Sequence, residues 1–129
     1  MKTILASICF TCAAHLDPVE DPNDFVGKRM SFENAIVCNS LDSMERIARA
    51  FERNVSRGQY LLDLHIELHK RGKPDGCYEG GSKGALFVSV VHQFVFHTEF
   101  QRIRSTVYAI KDDSGKRQFA MILYPLSMV

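Results

Sequence analysis

The stretch "ALFVSVVHQFVF", residues 85–96, is apolar on both sides of an extended chain, and that property limits what the rest of the protein can be. Val and Phe dominate it, the residues that fit a pleated, half-buried surface, so it reads as a β-strand. It exceeds the usual length of about 5–6 residues, which predicts a bend or break near Ser89 or His92. In a regular strand Leu86, Val88, Val90, Phe94 and Phe96 share one face, and Phe87, Val91 and Val95 share the other. A small sheet with helices on one side buries only one such face. Either the strand bends until both are enclosed, as in a small barrel, or another molecule covers the second face, be it a protein partner or a second copy in a homodimer. The exposure of Phe87, Val91 and Val95 distinguishes the two.

The segments around this strand set the fold class. The short apolar run "NAIVC" (34–38) predicts a first strand. Ser40 is a good N-cap, and Leu41, Met44, Ile47, Ala48 and Phe51 recur at helical spacing up to about Asn54, which predicts a helix with one buried stripe. Glu45, Arg46, Arg49, Glu52 and Arg53 form its outer face. In "LLDLHIELHKRG" (61–72) strict alternation of Leu62, Leu64, Ile66 and Leu68 with polar residues suits a strand. The i, i+3, i+7 stripe of Leu61, Leu64 and Leu68, with Gly72 as a C-terminal stop, suits a helix. The helix reading is preferred, making 58–71 the second arm of a helical hairpin. "GCYEGGSKG" lacks periodicity and reads as a loop. The segments 106–111 and 117–124 flank "DDSG" as a hairpin, and Pro125 ends the last strand. The expected fold is α+β, a short strand and a helical hairpin packed on a small curved antiparallel sheet.

The first residues form a separate unit. "MKTILASICFTCAA" has one positive charge, an uncharged apolar run from Ile4 to Cys12 and small residues at its end, the pattern of a secretory signal peptide cleaved after Ala14. It is too short to span a bilayer, so no stable membrane insertion is expected after cleavage. A β-strand over "KTILASICF" is the competing structural reading. The domain organisation expected is a leader at 1–14, an irregular segment with Pro18 and Pro22 at 15–26, and one α+β domain at 27–129. The predicted location is outside the cytoplasm, periplasmic or secreted.

Loss of the leader removes Cys9 and Cys12 and leaves Cys38 and Cys77 as the pair for a disulfide. Such a bridge closes a loop of roughly 40 residues and stabilises the fold by roughly 3–4 kcal/mol on the chain-entropy argument. Cys9-x-x-Cys12 as a redox motif is disfavoured, because Pro18 and Pro22 oppose the long helix that should follow it. The formal net charge of the whole chain is +1, and without Lys2 the mature chain is formally neutral. That opposes nucleic-acid binding; the basic clusters 69–73 and 101–104 read as solvated edges.

His65 and His69 have the i, i+4 spacing at which a helix can offer two imidazoles to a metal ion. Glu67 does not follow the first His directly, as the general base of a zinc protease would, and lies on another side of a helix. Ser82 has no strand-to-helix elbow around it, and the glycines near it lack the phosphate-loop spacing. No catalytic residue and no cofactor is assigned. The sequence predicts a small exported, non-catalytic accessory or interaction domain. The alternative is a metal-binding protein or metal-dependent enzyme using His65 and His69.

Overall fold

The computed structural model describes residues 3–5, 21–56, 76–97 and 101–128. It is dominated by antiparallel sheet: β1 (Thr3–Leu5), β2 (Arg29–Cys38), β3 (Cys77–His97), β4 (Gln101–Lys111) and β5 (Arg117–Met128), with a 3-10 turn at Pro22–Phe25 and a helix α1 (Leu41–Ser56). This is an α+β arrangement, and α1 is its one α-helix among the described residues. The second arm expected at 58–71 lies outside them.

α1 follows the sequence pattern closely. The Ser40 hydroxyl accepts from the Ser43 amide at 3.2 Å, as an N-cap should, and Met44, Ile47, Ala48 and Phe51 are buried. Glu45 and Arg49 pair one turn apart on the outer side. Phe51 meets Phe96 of β3 edge to face, with centroids 5.5 Å apart, and this contact fixes the helix against the outer half of the strand.

The strands pair in the order β1-β2-β3-β4-β5, and β5 pairs again with β2 through Ile36↔Met121, Val37↔Ala120 and Cys38↔Phe119. The antiparallel neighbours therefore run from β2 through β3, β4 and β5 and back to β2. Phe87, Tyr108 and Ile110 on one face and Phe96, Ile103 and Val107 on the other are buried. Cross-strand partners share a face, so Val37, Ala120, Tyr108 and Ile110 belong to one side with Phe87. There Phe87 packs with Phe25, Phe32 and Tyr108. On the other side Met121, Val107 and Phe96 belong with the stripe of α1 in the same hydrophobic core.

β3 bends where expected. Its pairing with β4 shifts register between Phe87 and Ser89 and again between Val90 and His92, leaving Val88 and Val91 as extra residues. The first shift moves Val90 onto the face of Phe87, opposite Tyr108. The second restores the alternation, so Val95 is again on that face and Phe94 and Phe96 on the other. The grouping expected of a regular strand fails at Val90 for this reason.

Four further expectations change. β2 is longer than 34–38, because its early residues have β3 to pair with. The supposed loop "GCYEGGSKG" is the first half of β3, paired with β2 from Cys38↔Cys77 to Arg29↔Leu86. Glycine serves there for close approach, since a Cβ on Gly81 would stand 2.1 Å from the Phe32 carbonyl oxygen. Pro125 does not end β5; it pairs with Ile103 at a register shift, a position where a strand tolerates proline. Part of the segment read as irregular, 15–26, is ordered by packing: Phe25 is buried and the Tyr108 hydroxyl donates to the Pro22 carbonyl at 2.9 Å.

Thr3–Leu5 lies within the expected leader and pairs parallel with Ser31–Glu33 of β2. Among the described residues no helix is long and apolar enough to cross a membrane.

Candidate functional site

His65 and His69 lie outside the described residues. Of the remaining histidines, His92 and His97 are both exposed on β3. The His92 imidazole meets the Glu52 carboxylate of α1, and the described residues hold no group of three or more side chains suited to a metal.

Cys38 and Cys77 are bonded, with their Cα atoms 4.1 Å apart. They are directly opposed in the β2–β3 register, and that separation is the close approach of a non-hydrogen-bonded antiparallel pair. The bridge therefore holds the end of β2 to the start of β3. The Asn39 amide extends the same junction by donating to the Gly76 carbonyl at 3.0 Å.

Beside this junction, at one end of the sheet, lies a cleft of about 360 Å³. Its apolar lining includes Phe32, Val37 and Ile110, and its polar lining includes Asn39, Tyr78 and Gln118. Three elements bring these together: Asn39 follows β2, Tyr78 is the second residue of β3, and Gln118 is the second residue of β5. Gln118 is buried, and its side-chain NH₂ donates at 3.2 Å both to the Asn39 side-chain carbonyl and to the Tyr78 hydroxyl. That network orients both partners. Tyr78 keeps 41% of its surface exposed beside the cleft.

The β4–β5 turn supplies the rest of the rim. One oxygen of Asp112 accepts from the Ser114 hydroxyl at 2.7 Å and from the amides of Ser114 and Lys116 at 2.9 Å. The Ser114 hydroxyl first, then the Lys116 amide, hold the carboxyl below its ordinary value of 3.8. Gly115, at φ 82°, closes the turn in the left-handed region. Arg29 ties it to the sheet, donating to the Gly84 carbonyl at 3.1 Å and to Asp113 at 3.3 Å.

A second feature lies on the outer half of β3. Val88, Val91 and Val95 are exposed at 38%, 38% and 41%, whereas Phe87 is fully buried. Val91 and His92 also border a smaller cleft of about 240 Å³ against Met44 and Ala48 of α1. From Gly84 to Thr98 the chain itself carries no Asp, Glu, Lys or Arg, although Arg104 of β4 lies opposite Val95 and Glu45, Arg49 and Glu52 of α1 border the cleft beside Val91.

The sequence singled out the valines of β3 and the two cysteines. It did not reveal the cleft, whose polar residues are about forty positions apart and form no motif; the one local signal is Gln118, an amide at the start of the otherwise apolar run "FAMIL". Comparison with protein-family models, with curated proteins and with solved structures finds no match.

Proposed function

We propose that this protein is a small exported, non-catalytic interaction domain that binds a protein partner, a second copy of itself included, through the outer half of β3. The observation that carries the reading is the exposure of Val88, Val91 and Val95 on a stretch without formal charge. Scattered apolar residues are ordinary on a protein surface, but edge strands in soluble proteins are commonly guarded by Lys or other charges. Among the described residues β2 pairs with β3 only as far as Leu86; the stretch beyond has two bulges and no charge of its own, with Arg104 of β4 opposite Val95. The Cys38–Cys77 bond supports an oxidising compartment, and the apolar start of the chain supports export. Cleavage after Ala14 would remove β1, and the pairings among β2, β3, β4 and β5 do not involve it.

The test compares the full chain with a Val91→Lys/Val95→Lys variant, each expressed with its leader in an exporting host and recovered by affinity capture and by sedimentation. Exposed substitutions of this kind each shift stability by about 0.5 kcal/mol, with an added cost from the like charge of Arg104 opposite position 95, and dispersed spectra check that the variant is folded. A partner or a dimer seen with the wild type and lost with the variant is the expected result. The same partners and the same mass for both would refute the reading.

A further inference from the structure

The cleft at the disulfide end has no part in that contact, and its chemistry points elsewhere. Small-ligand sites are concave, mostly apolar and provided with a few well-placed polar groups, with volumes of roughly 300–1,000 Å³. A cleft of about 360 Å³ lies at the lower end of that range, and its exposed lining is more polar than apolar, with Phe32, Val37 and Ile110 largely buried behind it. The rim both donates and accepts. After the bonds from Gln118, the Tyr78 hydroxyl still has its proton to give and the Asn39 amide its NH₂. The side chain of Gln118, which lines the cleft, has its carbonyl unbonded by the described residues. Ser82 adds a hydroxyl.

Charge narrows the class. Asp112 is held ionised by its turn, and Lys116 stands beside it on the same rim. The two formal charges offset each other, so neither an anion nor a cation gains a net attraction. A ligand suited to this rim is neutral, has groups that donate and accept together, and offers an apolar face to an exposed aromatic ring. Sugars have that combination: hydroxyls around the edge and C–H groups on the face.

We propose that this cleft binds a neutral saccharide, its C–H face against the Tyr78 ring and its hydroxyls bonded by Asn39, Tyr78, Ser82 and Gln118. The site is separate from the surface of β3, and either can fail without the other.

Nuclear magnetic resonance titration of the full oxidised chain tests it, with cellobiose, methyl glucoside and the disaccharide of N-acetylglucosamine as probes and octanoate as the anionic, apolar control. At least one saccharide is expected to move the side-chain amide signals of Asn39 and Gln118 and the ring signals of Tyr78 in a saturable way. Tyr78→Ala should weaken that binding by about tenfold or more, while Tyr78→Phe, which keeps the ring, should weaken it less. Dispersed spectra of both variants check that they are folded. Octanoate moving these signals while no saccharide does, or no probe moving them up to its solubility limit, would overturn the proposal.

Discussion

A Cβ placed on Gly81 would stand 2.1 Å from the Phe32 carbonyl oxygen and 2.8 Å from the Glu33 Cα, both backbone atoms that cannot swing aside. Gly81→Ala should therefore destabilise the protein by about 1–3 kcal/mol, the range of overpacking, read from the midpoint of urea unfolding. An unchanged midpoint would mean that β2 and β3 are not this close. In the sequence Gly81 looks like loop chemistry, because a glycine needed for close approach leaves the same local signature as one needed for flexibility. Asp112 shows the opposite case: "DDSG" announces a turn, and the turn forms. Its carboxyl is depressed in the folded state, so it contributes stability above its unfolded value near 3.8, and that contribution is lost as pH falls through the lower folded value. Asp112→Asn should accordingly be less stable than wild type at neutral pH, with the difference vanishing in acid below the folded midpoint. Chemical denaturation at several pH values reads this directly; a gap that widens on acidification would contradict it.

At the scale of elements, α1 was legible because its stripe is a periodic property of contiguous residues, and the hairpin because Gly115 separates two apolar runs. β3 was legible only in its second half. Its first half pairs with β2, thirty-nine residues back across the disulfide, and no local pattern reports a partner so distant. The bridge pins the start of that pairing. Cys77→Ala should cost about 2–5 kcal/mol, and oxidised, folded protein should show no thiol to a titrating reagent until it is reduced. Two thiols titrating at once would remove the bond. The helix depends on a different contact, Phe51 against Phe96, and Phe51→Ala should cost about 3–5 kcal/mol by leaving a cavity between α1 and the sheet. A loss much below that would mean that α1 is less firmly packed than its burial indicates.

For the whole molecule, the question raised by the strand with two apolar faces has a divided answer. Phe87 is enclosed among Phe25, Phe32 and Tyr108, while Val91 and Val95 stay exposed on the outer half of β3, beyond the described pairing with β2. The sequence posed the alternative but could not divide it along one strand, since the division follows from two bulges and a long-range pairing. The saccharide cleft was invisible for a related reason: Asn39, Tyr78 and Gln118 meet only once the sheet is formed. The claim that the protein acts by contact through β3 is tested most directly by placing a photocrosslinking amino acid at Val91 in the exporting host, with one at Asp24 as control. The account predicts a covalent adduct of discrete mass from position 91 and none from position 24, with the adduct lost when Val95→Lys is added. No adduct from position 91, or the same adducts from both positions, would contradict it.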